Sequence, residues 1–494
     1  MTDFSQVAAL FHTDAYKLDH KRQYDLAGKV TRVYSNYTNR KSRIPGVKKV
    51  VHFGLQAYIQ RYLVDAFQPF FDGGKNQACR LYEGRVAQVL GPDAAEAIGS
   101  DHIRSLHQLG YLPLRFCAVP EGTLVPIGVP SFTVENTHPD FYWLTNFVET
   151  GLSAGIWQAS TSATIAHEYR KVLDAAALRT GGDPAGVDWQ CHDFSYRGMS
   201  SHESAAASGA AHLLSFTGTD SLVSLDWIDR YYSGPYRFGS VPATEHSVMC
   251  TGIEAVGEQE TFSRLLDLYP TGIVSVVSDT FDLWKVLGTY LPALRDKILA
   301  RDGKLVIRPD SGDPEKILCG DETKPVGSPE WHGVLGMLYE TFGGRKNIAG
   351  FIELIPKVGA IYGDSITLDR AKSITDRMEK LGWASSNVVF GVGSFTYQYN
   401  TRDTFGSAMK ATWAEVDGEG VNLLKDPVTD DGTKKSATGR LAVIAGDGGE
   451  LRLIQNANLF QELNSALQPV WQDGEFLRRQ TFADVRKILK GSEA

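Results

Sequence analysis

Through the middle of the chain, short apolar runs rich in β-branched residues end abruptly in clusters of Gly, Asp, Arg and Ser. Residues 273–277 (IVSVV) run into Ser278-Asp279, and residues 305–307 (LVI) into Arg308-Pro309-Asp310-Ser311-Gly312. Residues 358–362 (VGAIY) run into Gly363-Asp364-Ser365, and residues 388–390 (VVF) into Gly391-Val392-Gly393-Ser394. Runs this short and apolar predict strands buried on both faces. Between them the apolar residues fall at helical spacing, and residues 367–381 predict a helix. Alternating strands and helices predict parallel strands with crossover helices. In a TIM-like barrel the polar clusters past the strands share one face, where the chemistry sits.

The flanks differ. Residues 29–37 and 112–127 are β-like but broken by Pro and Gly, and residues 408–416, 439–443 and 450–454 alternate between DG and GDGG turns, which predicts antiparallel strands. The fold expected is α/β: an irregular TIM-like α/β barrel over residues 151–399, with a second α+β domain built from both termini, residues 1–150 and 400–494.

Composition narrows the function. A length of 494 residues allows a large core, and a net charge of -8 argues against broad binding to nucleic acid or an anionic membrane. The five cysteines are scattered, with no CxxC pair, so neither a disulfide framework nor a structural zinc site is expected. The first twenty residues lack a basic region followed by an apolar run, and no apolar stretch has membrane-spanning length. A cytoplasmic setting is the expectation.

Several segments carry candidate chemistry. In residues 304–314 (KLVIRPDSGDP), Arg308 and Asp310 share one side if strand geometry persists. Arg308 suits a carboxamide or phosphate, and Asp310 a ribose or a metal; read alone, a strand-end salt bridge serves equally well. Glycines at 391 and 393 let backbone N–H groups approach a phosphate, and a carboxylate at Asp364 suits a ribose diol. In residues 192–198 (HDFSYRG), Phe194 could stack on a planar ring and Arg197 bind pyrophosphate, although read alone the motif fits an aromatic plug with a solvated Arg better. Thr219-Asp220 could equally cap a helix. His246 sits beside Glu245, and Asp279 at another strand end could orient it.

Together these segments resemble the nicotinamide phosphoribosyltransferase family, of the type II phosphoribosyltransferases. The resemblance runs in order along nearly the whole chain: residues 13–17 (TDAYK), 192–198, 218–220 (GTD), 241–247 (VPATEHS), 274–279, 307–312, Gly363-Asp364, 391–394, 401–403 (TRD) and 425–427 (KDP). It implies a homodimer with shared active sites, in which Phe194 and the partner's Tyr16 sandwich a pyridine ring while Asp220 and Arg308 hold its carboxamide. It implies Asp310, Gly363 and Asp364 around the ribose, and Gly393, Ser394, Arg402 and Lys410 on the 5′-phosphate. Arg40, Arg197 and Lys425 fall to the pyrophosphate. His246, oriented by Glu245 and supported by Asp279, matches a histidine phosphorylated when ATP hydrolysis drives synthesis. Mg²⁺ is the implied metal, held through Asp279 or Asp310 and the donor pyrophosphate.

One departure stands out: the family has a GSGGG turn where this chain has Gly391-Val392-Gly393-Ser394-Phe395. An ionised Asp220 accepts from a carboxamide NH₂ and repels a carboxylate, which favours nicotinamide over nicotinate. The rivals are nicotinate or quinolinate phosphoribosyl transfer, a barrel lyase or isomerase acting on a sugar phosphate, and a binding protein without catalysis.

Overall fold

The helix predicted over residues 367–381 shows how local sequence sets the elements. It spans Leu368–Lys380, with the Thr367 side chain accepting from Arg370 N as its N-cap. Ala371, Ile374, Thr375 and Met378 are buried at helical spacing, and Arg377 and Lys380 in the last turn complement the helix dipole. This computed structural model describes residues 3–234, 236, 238–427, 429, 436–446 and 449–492. The Asp431-Gly432 turn and the centre of the GDGG turn lie outside the described residues.

The chain packs as two units, Met1–Thr164 with Ile228–Pro235 and Asn400–Ala494, and Ile165–Trp227 with Tyr236–Tyr399. In the second, six parallel strands lie in the order Gly218–Thr219, Cys191–Asp193, Val388–Val392, Val358–Tyr362, Asp302–Arg308, Thr271–Val277. The four predicted runs are all strands here, and Val358–Tyr362 is buried throughout. The sheet curls so that residues 239–244 bond to both of its edges. Thr219 N donates to Gly239 O at 3.1 Å and Gly239 N to Thr217 O at 3.1 Å; on the other edge Ser275 N donates to Pro242 O at 2.9 Å and Thr244 N to Ser275 O at 3.0 Å. Parallel pairing brings Asp193, Thr219, Val392, Tyr362, Arg308 and Val277 to one end of the sheet.

The first unit carries a seven-stranded sheet ordered Glu419–Asn422, Ser407–Val416, Val30–Asn39, Pro130–Asn136, Leu114–Ala118, Gln468–Gln472, Glu475–Phe476, with antiparallel pairing throughout. Strands from both ends of the chain therefore interleave. Two DG turns close hairpins: Asp417 and Gly418 (φ 52° and 84°) join Val416 to Glu419, and Asp473 and Gly474 (φ 52° and 92°) join Gln472 to Glu475. Positive φ at both central residues matches the strand twist. Residues 112–127 do not form one strand. They divide at Pro120-Glu121-Gly122 into Leu114–Ala118 and Leu124–Pro126, and the second pairs with Lys49–Val51 in another sheet.

Among the described residues no helix is long and apolar enough to cross a membrane. All five cysteines are free.

Candidate active site

The C-terminal end of the parallel sheet gathers the chemistry-bearing residues of the second unit. Phe194 follows the Cys191–Asp193 strand, and its N–H donates to Val392 O at 2.9 Å. Its ring lies over Gly363 and Gly391: a Cβ on Gly363 would stand 3.0 Å from the ring, and one on Gly391 would overlap it. The missing side chain of Gly391 thus makes room for Phe194. The Phe194 ring is 4.9 Å from the His192 ring, and His192 Nε2 is 3.1 Å from Asp220 Oδ1. Asp220 N donates to Asp193 O at 3.0 Å, which ties the two loops together.

Arg308 ends its strand, so strand geometry does not continue to Asp310 as expected. Asp310 is drawn aside instead: its N–H donates to Asp279 Oδ2 at 2.9 Å, and Ser311 Oγ donates to the same oxygen at 2.6 Å. Arg308 Nη2 donates to Thr244 O at 2.8 Å, while its buried Nε has no partner. Burial lowers the Arg308 pKa, and the charges of Asp310, Asp220 and Asp279 oppose that. Those three carboxylates therefore stand within electrostatic reach of one guanidinium, and so does Arg197, which is exposed. Phe194, Asp220 and Arg308 form one cluster.

Burial opposes ionisation of Asp220, but hydrogen bonds from His192 and Ser240, with the charges of His192 and Arg308, hold its carboxyl below the ordinary value of 3.8. A depressed pKa means that the charge is present above that value and is lost only as the pH falls through the lower folded value. In a ¹³C-carboxyl NMR titration, Asp220 is expected to show its midpoint below 3.8; a midpoint at or above it contradicts the assignment.

Asp364 accepts from Ser365 Oγ at 3.1 Å, and Ser365 adopts a positive φ of 53° in this turn. Gly393 caps the short helix Ser394–Tyr397. Ser394, at the departure from the family turn, packs against Gly198: a Cβ there would lie 2.5 Å from Ser394 Cβ. Phe395 is exposed and stacks on Tyr399 at 5.0 Å. His246 begins the helix His246–Val256. It makes no hydrogen bond to Glu245 or Asp279; Glu245 accepts from Ser247 Oγ and Asp279 Oδ2 from the Asp310 loop. The second Asp279 oxygen, Oδ1, is buried without a partner.

The remaining candidates belong to the first unit. Tyr16 is 61% exposed, and its neighbour Lys17 is buried in an ion pair with Glu149 at 2.7 Å. Lys410 sits opposite Asn36 in the register of its strand. Its pKa is lowered, chiefly by burial, with the charges of Arg40, Lys425 and Arg402 adding to the effect and Glu149 opposing it. These four cations form a basic cluster suited to an anion. Arg40 is held by a bond from its Nε to Gly406 O at 3.2 Å.

Sequence reasoning missed Tyr362, Thr244, Ser240 and the role of His192. The Tyr362 pKa is raised by burial and then by Asp364, Asp310, Asp279 and Asp313, and its hydroxyl donates to Gly312 O at 3.0 Å. Its place as the last residue of a strand before Gly363-Asp364 was the available signal. Ser240 and Thr244 offered none.

The model of the nicotinate phosphoribosyltransferase (NAPRTase) family matches residues 189–474. The nicotinamide phosphoribosyltransferase of Acinetobacter baylyi is 47% identical over 490 residues, 96% of each chain. That of Mycoplasma pneumoniae is 35% identical over 87% of this chain and 94% of its own. Among solved structures, human nicotinic acid phosphoribosyltransferase superposes with a TM-score of 0.58 at 17% identity, covering 97% of this chain and 93% of that one. The nicotinate-nucleotide pyrophosphorylase of Pyrococcus furiosus gives the same score and identity over 100% and 96%; both show a shared fold. With the family model matching more than half of its length and relatives matching nearly all of it, this chain belongs to the nicotinate phosphoribosyltransferase (NAPRTase) family.

Proposed function

We propose that this chain, a phosphoribosyltransferase, joins nicotinamide to 5-phosphoribosyl 1-pyrophosphate, releasing pyrophosphate and making nicotinamide mononucleotide for NAD salvage. The observation that carries this reading is Asp220, held ionised within reach of the Arg308 charge and hydrogen-bonded to His192, whose ring lies 4.9 Å from that of Phe194. An ionised carboxylate accepts from an amide NH₂ and repels the carboxylate of nicotinate. The names of the relatives at 47% and 35% identity support the amide.

The pyridine nitrogen attacks the anomeric carbon with its own lone pair, so the C–N bond forms as the C–O bond to pyrophosphate breaks, and no side chain need remove a proton. The residues position and stabilise. Phe194 stacks on the ring, Asp220 and Arg308 hold the amide, and Asp310 and Asp364 face the cationic ribosyl group. In the second unit the Gly393-Ser394 turn takes the 5′-phosphate and Arg197 the pyrophosphate; in the first, the basic cluster of Arg40, Arg402, Lys410 and Lys425 is suited to bind an anion. Tyr16 comes from a second copy in a homodimer, its exposure leaving it free to do so. The backbone bonds of residues 239–244 to both sheet edges support an irregular α/β barrel as the finer description.

Among the described residues no three His, Cys, Asp or Glu side chains cluster as a metal site. One or two carboxylates plus substrate phosphate suit Mg²⁺, and the unpartnered Asp279 Oδ1, with Asp310, supplies that set. When bound, Mg²⁺ neutralises charge on the leaving pyrophosphate. His246, exposed at the start of its helix, is the residue phosphorylated from ATP. The reaction belongs in the cytoplasm.

The test incubates purified protein with nicotinamide or nicotinate, 5-phosphoribosyl 1-pyrophosphate and Mg²⁺, with and without ATP. The expected product is nicotinamide mononucleotide, with ATP lowering the donor KM in wild type but not in His246→Ala. Product from nicotinate alone overturns the substrate assignment; an ATP effect absent from wild type removes the histidine step and leaves the transfer standing.

A further inference from the structure

One oxygen of Asp220 is occupied twice. Oδ1 accepts from Ser240 Oγ and lies 3.1 Å from His192 Nε2. An ionised carboxylate only accepts, so both neighbours must donate, and His192 must carry its proton on Nε2. Among the described residues, Asp220 Oδ2 makes no hydrogen bond.

Both donors are pinned from behind. His192 is buried in the Cys191–Asp193 strand, and its Nδ1 edge packs against Gly218, where any Cβ would collide with it. Ser240 lies between two anchored neighbours: Gly239, bonded to Thr217 and Thr219, and the stretch from Pro242 to Thr244, bonded to Ser275. Neither donor can follow the carboxylate if it swings, so the pair sets its direction. The residue that meets the substrate amide is thus aimed by two residues that need not touch it.

We propose that His192 and Ser240 are specificity-determining positioning residues: by saturating Oδ1 of an ionised Asp220, they reserve Oδ2 as the acceptor for a ring amide N–H and keep the charge that rejects a ring carboxylate. This rests on the reading of Asp220 as the partner of the substrate amide. Losing a donor leaves the carboxylate freer to rotate and easier to protonate, and a protonated Asp220 could donate to nicotinate.

The experiment measures kcat/KM for nicotinamide and for nicotinate in wild type, Asp220→Ser, Ser240→Ala, His192→Leu and His192→Gln. Wild-type preference for nicotinamide tests the earlier reading by itself, and its absence defeats that reading first. Given the preference, Ser240→Ala and His192→Leu are each expected to lower the nicotinamide-to-nicotinate ratio about tenfold, as loss of one hydrogen bond to a charged group implies. His192→Gln, which keeps an N–H donor at a similar reach, should stay within about threefold of wild type. Ser240 is exposed, so Ser240→Ala is expected to fold, and an unchanged donor KM shows that the rest of the site is intact. A wild-type ratio in both Ser240→Ala and His192→Leu overturns the proposal, as does an equal loss in His192→Gln and His192→Leu. A changed donor KM with an unchanged ratio marks a purely structural role and overturns it too.

Discussion

Arg308→Ala is expected to lower kcat/KM for nicotinamide by about 10²–10³-fold, the scale for removing a charge-assisted contact from an enclosed site. Arg308 has two functions in the geometry. Its Nη2 fixes the Thr244 carbonyl at 2.8 Å, which holds residues 239–244 against the sheet edge, and its buried Nε has no protein partner and is available to a ligand. It is also the cation facing Asp220, Asp279 and Asp310. Removing it leaves three carboxylates to repel one another, which favours protonation of one of them and erodes the acceptor at Asp220. Arg308→Lys should recover only part of the loss, because an ammonium supplies charge without the planar fork that serves Thr244 and a ligand at once. Steady-state kinetics with circular dichroism as a check on folding decide the matter. Full activity in Arg308→Lys would show that charge alone suffices.

Gly391→Ala is expected to cost about 10²-fold in kcat/KM, the penalty for shifting a positioning group by roughly 1 Å. Backbone strain is not the cause, since Gly391 has ordinary strand geometry and pairs in register with His192. The cause is contact: the new methyl would overlap the Phe194 ring and stand 2.8 Å from Gly363 Cα. Neither the ring nor the neighbouring strand can yield without moving the proposed stacking surface. The loss should appear in the nicotinamide KM more than in the donor KM. Adding Phe194→Leu should relieve the clash and raise the thermal midpoint of the double variant above that of Gly391→Ala. Wild-type kinetics in Gly391→Ala would remove Phe194 from the substrate surface.

Much of the fold was legible because it depends on local pattern. The strands at 273–277, 305–307, 358–362 and 388–390 declared themselves by short, apolar, β-branched runs, and the helix at Leu368–Lys380 by its apolar stripe and its Thr367 cap. The division of residues 112–127 was harder, because a strand that ends in one sheet and resumes in another differs only at a Pro-Glu-Gly turn. Within the site, Phe194, Asp220, Arg308 and Asp279 could be named in advance, since each is a chemistry-bearing residue just past, or at the end of, a strand. For Gly391 the structure adds a reason that the sequence did not offer, the Phe194 ring above it, because a strand-end glycine next to a phosphate and one beneath an aromatic ring look alike in sequence.

The chain's own order of residues determined the alternation of strands and helices, the hairpin turns at Asp417-Gly418 and Asp473-Gly474, and the family resemblance. These follow from side-chain period and backbone freedom, which act over a few residues. Tertiary structure alone decided that Asp310 turns toward Asp279, that Ser240 and His192 converge on one oxygen of Asp220, and that residues 239–244 bond to both edges of a sheet. Such hydrogen bonds join residues that are distant along the chain. Their partners are selected by direction and distance at the end of the folded sheet, and no periodicity in the sequence encodes either.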